Sequence, residues 1–130
     1  MAISVRAQGD VRIIELKGEF TLNGGGLSHP LDLRGQPLSD LGETLRRLLE
    51  QGCRQIVLDL GQVTFLDSAG LGELIACRKR TVDKGGDILL LRPTGKVREL
   101  LDMLHLTKVF KLFDNETDAL TSFERLGVAG

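Results

Sequence analysis

Ser68 is the residue of this chain best placed to do chemistry. It lies in the stretch Thr64-Phe65-Leu66-Asp67-Ser68-Ala69-Gly70-Leu71-Gly72. An apolar run, Ile56-Val57-Leu58-Asp59-Leu60, precedes that stretch and reads as a buried strand. A helical pattern, Leu71, Leu74, Ile75, Arg78 and Val82, follows it. Ser68 thus stands where a helix begins, its hydroxyl free to cap backbone N–H groups. A phosphoryl group there would place about two negative charges at the positive end of the helix dipole. Position alone leaves two readings: a modifiable switch, or an N-cap serine worth about 1 kcal/mol of stability.

Each glycine inside a helix costs roughly 1 kcal/mol relative to alanine, so Gly70 and Gly72 in one turn need a reason. Either a bare backbone lets a partner approach closely, or the helix packs tightly on the sheet. Asp67 complements the helix N-terminus while Ser68 is unmodified and becomes a like-charged neighbour once it is phosphorylated. Asp59, at the C-terminal end of its strand, either accepts loop N–H bonds or lines the same mouth. Asp59 and Asp67 do not read as a metal pair, because no third ligand is evident. Nor does the serine read as a hydrolase nucleophile. Leu66-Asp67-Ser68-Ala69-Gly70 has one of the two glycines of a Gly-x-Ser-x-Gly elbow, and nothing places His29 or His105 beside it. Thr94-Gly95-Lys96-Val97 falls short of a phosphate loop, with Leu90 and Val97 where glycine and a hydroxyl residue are required. No catalytic residue, metal ligand or cofactor is expected.

The elements that must hold Ser68 follow from periodicity. Ile3 to Ala7 alternates as a half-covered strand does, Gly9-Asp10 reads as a turn, and Val11 to Leu16 forms a second strand hairpin-paired to the first. Gly18 ends that strand or marks a bulge. Ser39 suits the N-cap of a first helix that buries Leu41, Leu45, Leu48 and Leu49, and Gly52 suits its left-handed close. The serine helix runs to about Asp83, where Gly85-Gly86 stops it. Ile88 to Leu91 is a buried strand. A third helix, capped near Pro93 and Thr94, buries Val97, Leu100, Leu101 and Leu104. A short strand spans Val109 to Phe113. Asp114 or Asn115 caps a last helix with Ala119, Leu120, Phe123 and Leu126 on one face. The order β-β-α-β-α-β-α-β-α predicts a single-domain α/β fold. Its sheet is mixed but mostly parallel, with an N-terminal hairpin and about four helices.

Composition narrows the function. The 130 residues suit one domain, and a net charge of −1 creates no field toward nucleic acid or anionic lipid. Trp and Tyr are absent, so no stacking platform for bases is expected. The one basic run, Arg78-Lys79-Arg80, reads as a solvated helix face. Cys53 and Cys77 lack CxxC spacing and read as free thiols of a reducing compartment. No apolar run approaches the ~20 residues that span a bilayer, and the first residues lack the design of a signal peptide. A soluble cytoplasmic protein is expected.

Asp67-Ser68-Ala69-Gly70-Leu71-Gly72 resembles the Asp-Ser-Ser/Ala-Gly-Leu-Gly signature of the anti-sigma-factor antagonists, the stand-alone STAS domains. The likeness extends back to Ile56 and covers nearly all of the element order. Lys96-Val97-Arg98-Glu99-Leu100-Leu101, Leu106-Thr107-Lys108-Val109-Phe110, Phe113-Asp114 and Gly18-Glu19-Phe20 also look like the family. The resemblance implies one STAS domain over residues 1–130 and a non-enzymatic regulatory module. Its unphosphorylated form would bind an anti-sigma factor that is also a serine protein kinase, and so release a sigma factor. That partner would phosphorylate Ser68, and a phosphatase would reset it. Asp67, Ser68, Ala69, Gly70, Leu71 and Gly72 would shape the partner surface, with Thr21 as a further candidate.

Thr21 marks a departure, since the family usually has Asp directly after its Gly-Glu-Leu. A Gly/Pro-rich inserted loop at about 22–37 follows. It reads either as a device that remodels the partner surface or as a tolerated surface insertion. Two alternatives to the switch remain. One is a STAS subunit docked on a transporter ATPase or a stress-signalling complex without a phosphorylation cycle. The other is a small nucleotide-binding or hydrolytic α/β enzyme.

Overall fold

A computed structural model describes residues 2–20, 27–31 and 37–127, with side chains described for 2–20 and 41–123. Strands β1 (Ala2–Gln8) and β2 (Val11–Phe20) form the expected hairpin. Two short strands, β3 (Leu27–Leu31) and β4 (Pro37–Ser39), pair antiparallel, with Leu27 opposite Ser39 and Leu31 opposite Pro37. The segment read as an inserted loop therefore contains strand. Its glycines and prolines mask any alternation, so the sequence pattern carries no strand signal there. Then come α1 (Asp40–Glu50), β5 (Gln55–Leu66), α2 (Ser68–Asp83), β6 (Asp87–Leu91), α3 (Gly95–Met103), β7 (Lys111–Phe113) and α4 (Glu116–Gly127).

The main sheet has the order β1-β2-β5-β6-β7, and every pairing except β1 with β2 is parallel. This is the α/β arrangement that alternating strands and helices demand. Its two faces bury different helices. Ile14, Leu16, Ile56, Leu58, Ile88 and Leu90 pack under α1, α2 and α3, while Val11, Ile13, Val57, Leu89 and Leu91 pack under Ala119 and Phe123 of α4. Burial on both faces explains why Ile56 to Leu60 reads as a continuous apolar run.

Four boundaries differ from the sequence reading, each for a local reason. β5 extends to Leu66 rather than ending at Leu60. Beyond Asp59 it has no pairing with β6 and runs beside β2 alone, and past Leu60 only Val63 and Leu66 are buried. β2 runs on to Phe20 rather than stopping at Leu16, and of the two readings of Gly18 the bulge holds: Gly18, at φ 100°, lies opposite the point where β5 carries one extra residue, Thr64. The last strand is only Lys111–Phe113, because a 3-10 turn at Leu106–Lys108 precedes it and leaves Val109 exposed. Leu104 is 48% exposed instead of buried, since α3 stops at Met103 and Leu104 is its C-cap.

Several expected caps are in place. Gly52, at φ 92°, closes α1, and Asn115 Oδ1 accepts the Asp118 N–H at 2.8 Å to open α4. Thr94 holds the N-cap position of α3 without a side-chain cap bond.

Candidate functional site

The corner between β5 and α2 is built by a buried leucine, a capping carboxylate and a close backbone approach. Leu66 anchors the end of β5 in the core. The chain then turns through Asp67, whose extended backbone (φ −96°, ψ −178°) is that of an N-cap. Asp67 Oδ1 accepts the Gly70 N–H at 2.8 Å, and Asp67 O accepts the Leu71 N–H at 2.9 Å as the first helical bond. The capping residue is therefore Asp67, which corrects the reading of Ser68 as the cap. A carboxylate caps as well as a hydroxyl and also complements the dipole charge. Ser68 occupies the first helical position instead. It is exposed, and its hydroxyl has no hydrogen-bond partner among the described residues.

Of the two glycines, Gly70 answers to tight packing and Gly72 does not. A Cβ on Gly70 would lie 2.1 Å from the Phe20 carbonyl oxygen and 2.9 Å from Leu66 Cδ1. Phe20 pairs with Leu66 at the far end of β2, so α2 enters the sheet directly above that pairing. Only a residue without a side chain lets it do so. A Cβ on Gly72 would meet nothing within 4 Å, and Gly72 is exposed. Leu71 turns inward with Leu74, Cys77 and Thr81, and Ala69 and Asp67 are half-buried. The motif thus splits into an inner pair, Gly70 and Leu71, and an outer set led by Ser68 and Gly72. Thr21 lies outside the described residues.

An outward stripe was not legible beforehand. Ser68, Gly72, Ile75, Lys79 and Val82 recur at alternating steps of four and three and are all exposed. Ile75 and Val82, which the apolar periodicity counts with Leu71 and Leu74, in fact face solvent at 41% and 42%. Phe65, three residues before Ser68, is exposed as well. The inner stripe is completed by Cys77 and Thr81, a polar-looking pair that the pattern passes over. Thr81 Oγ1 donates to the Cys77 carbonyl at 2.9 Å, and Cys77 lies beside Glu73, its Sγ 3.8 Å from Oε1. Burial pushes the Cys77 thiol well above the usual thiol range, and the Glu73 carboxylate adds to the shift.

Asp59 accepts the Gly61 N–H at 2.9 Å, a bond within β5 rather than from a loop, and also receives Arg92 Nη2 at 2.6 Å. Arg92 sits just past β6 at φ 54° and donates its own N–H to the Phe113 carbonyl at 2.8 Å. It ties Asp59, which lies inside β5 where the pairing with β6 stops rather than at the end of the strand, to the C-terminal ends of β6 and β7. Sequence reasoning missed it because the two partners lie far apart along the chain.

Among the described residues, no cluster of His, Cys, Asp and Glu is arranged to hold a metal ion, and no helix is long and apolar enough to cross a membrane. His105 follows α3, which runs back from the C-terminal end of β6 to the start of β7, so it lies at the end of the sheet away from Ser68.

Comparison with known proteins agrees with this architecture. The STAS domain family model matches residues 38–119. The chain is 40% identical over 72 residues to an anti-sigma F factor antagonist of Paenibacillus polymyxa, a match covering 55% of this chain and 62% of that relative's length. The crystal structure of an anti-sigma factor antagonist from Mycobacterium paratuberculosis superposes with a TM-score of 0.74 at 21% identity, over 93% of this chain and 92% of that one. The structure of the Bacillus cell fate determinant SpoIIAA in its phosphorylated form gives 0.63 at 19% identity, over 93% and 98%. With the family model running from β4 into α4, the chain belongs to the STAS domain family.

Proposed function

We propose that this chain is an anti-sigma-factor antagonist switched by phosphorylation of Ser68. Unmodified, it binds an anti-sigma factor that is also a serine kinase, and this frees a sigma factor. The kinase then phosphorylates Ser68, using ATP and Mg²⁺ bound on its own side, and the charged form dissociates. A separate phosphatase resets the cycle. The chemistry needs ATP and belongs in the cytoplasm.

One observation carries this reading. An exposed hydroxyl stands at the first position of α2 while the adjacent carboxylate does the capping. A kinase can therefore take the hydroxyl without breaking a hydrogen bond to any of the described residues. The names of the relatives support the partner class, and SpoIIAA, similar in fold, is known in a phosphorylated form.

Magnitude decides where Ser68 must lie in the contact. Driving a partner from almost fully bound to almost fully released takes about 5.5 kcal/mol of differential affinity. A solvated charge contributes about 1 kcal/mol at most, whereas a phosphate enclosed without a counter-charge costs several kcal/mol. Ser68 belongs near the centre of the interface. Gly72 and Ile75, one and two turns along the same face, supply the flat apolar floor that excludes water around it. Ala69 and Asp67 border it, Gly70 and Leu71 hold it in place from below, and Thr21 is a further contact.

Ser68→Ala and Ser68→Asp test the cycle against the cognate kinase, with calorimetric binding and phosphoryl transfer followed together. Alanine is expected to keep binding and to abolish transfer, and aspartate to weaken binding. Equal affinity of the phosphorylated and unmodified protein for the kinase would overturn the switch.

A further inference from the structure

We propose that the cleft at the N-terminal end of the sheet, opposite the serine corner, binds a small phosphate dianion or phosphomonoester between Arg12 and Arg54. The cleft measures about 290 Å³ and lies between the β1–β2 turn and the connection from α1 to β5, lined by Asp10, Arg12, Gln51, Arg54 and Gln55 among others. That is the small end of the range for ligand pockets and suits a phosphate with a short substituent.

The arginines make the case. Seven of those whose side chains are described, Arg6, Arg46, Arg47, Arg78, Arg80, Arg92 and Arg98, stand within 4.0 Å of a carboxylate. Arg12 and Arg54 do not, and they line the same cleft. Each is anchored by backbone carbonyls instead. Arg12 Nη1 donates to Gly9 O at 3.0 Å and to Val11 O at 3.4 Å, while Arg54 Nη1 donates to Leu49 O and Cys53 O, both at 2.9 Å. One amino group of each guanidinium is used to fix its position, and the remaining N–H donors have no protein acceptor among the described residues. Asp10, the one carboxylate of the lining, forms no ion pair with either. Two oriented guanidiniums without a counter-charge match the oxygens of a phosphate dianion, which they can bind by charge-assisted hydrogen bonds. The Gln51 and Gln55 amides on the rim offer further donors and acceptors to a substituent.

The site is separate from the proposed partner face. Gln55 begins β5 and Ser68 follows its end, a distance of about 35 Å at the usual rise of a strand. Failure of one proposal therefore leaves the other standing.

Amide-resolved NMR of the full chain tests this, with inorganic phosphate as the probe at near-neutral pH and constant ionic strength, and acetate and chloride in parallel. Saturable shifts are expected for phosphate at residues 10–12 and 51–55, with the Ser68 corner unmoved and acetate binding much more weakly. Arg12→Gln is the decisive variant, because Arg54 also holds the end of α1 and its replacement can disturb folding. Affinity is expected to fall about ten-fold or more in Arg12→Gln, and to fall less in Arg12→Lys, which keeps the charge and loses the fork. Shifts that fail to saturate, that acetate or chloride reproduces, or that survive Arg12→Gln would overturn the site.

Discussion

Replacing each glycine of the serine corner by alanine should move stability in opposite directions. In Gly70→Ala the new methyl would lie 2.1 Å from the Phe20 carbonyl oxygen. That atom belongs to the β2–β5 ladder and has no rotamer by which to move away. Either α2 lifts off the sheet, with loss of packing at Leu71 and Leu74, or the end of β2 shifts. Overpacking of this kind costs about 1–3 kcal/mol, and a backbone obstacle places the expectation at about 3 kcal/mol. The gain in helix propensity offsets roughly 1 kcal/mol of it. In Gly72→Ala the methyl meets nothing within 4 Å, so only the propensity gain remains and the protein should become more stable by about 0.5–1 kcal/mol. Urea unfolding of both variants beside the parent reads these values. With a typical slope of about 1–3 kcal/mol/M, the Gly70→Ala midpoint should fall by about 1 M and the Gly72→Ala midpoint should rise by a few tenths. A Gly70→Ala protein as stable as the parent would refute the close approach, and a destabilised Gly72→Ala protein would refute the open face. On the proposed interface, the stabilised Gly72→Ala variant should also bind the kinase less tightly, a combination that a purely structural role would not produce.

Arg92→Ala should cost about 1–3 kcal/mol, because Asp59, only 6% exposed, keeps the Gly61 N–H alone. Arg92→Gly should be milder by about 1 kcal/mol, since it relieves the left-handed backbone at φ 54°; denaturation midpoints in the reverse order would contradict this account. Hydrogen bonds from Arg6 hold the Glu116 carboxyl below the usual carboxylate range. A carboxyl whose folded value is lowered lends stability above its unfolded value, near pH 4.3, and loses it as the pH falls through the lower folded value. Glu116→Gln should therefore flatten the acid limb of a stability–pH curve by no more than about 1 kcal/mol, given its partial exposure; an unchanged limb would remove Glu116 from the linkage. Cys77 is fully buried with its thiol raised, so a disulfide reagent should modify it only through opening of the fold, and labelling at the rate of a free thiol would contradict its packing.

What the sequence disclosed was what a local period or a local turn encodes. The α2 bounds, Ser68 to Asp83, follow from the Asp-Ser corner and the Gly85-Gly86 stop. The central strands follow from apolar runs buried on both faces. The inward face of α2 was less legible, because Cys77 and Thr81 occupy positions where a hydropathy pattern looks for leucine, and Ile75 and Val82 carry apolar character outward. The choice between the two roles for the glycines depended on Phe20, whose carbonyl lies fifty residues away in the chain. Arg92 with Asp59, and Arg12 with Arg54, depend likewise on strand order, which no window of sequence contains. The β3–β4 pair lay hidden among glycines and prolines.

The exchange of capping duty between Asp67 and Ser68 bears on how the proposed switch would work. Were the serine its own cap, a phosphoryl group would remove the hydroxyl from its N–H partner, and modification would trade against the folding of α2. With Asp67 Oδ1 on the Gly70 N–H, that bond stays in place whatever the state of Ser68. The added dianion meets two opposing local fields: attraction to the helix N-terminus, worth about 0.3–1 kcal/mol, and repulsion from the Asp67 carboxylate next to it. Both are screened by solvent at an exposed site and oppose each other, so on the proposed switch the modified domain would keep its fold. The free energy of the modification is then expressed almost wholly in the bound state, where the same charge has no water to solvate it. A switch built this way would not need to unfold, shift a helix or cross the sheet, because it would act directly at the proposed partner face.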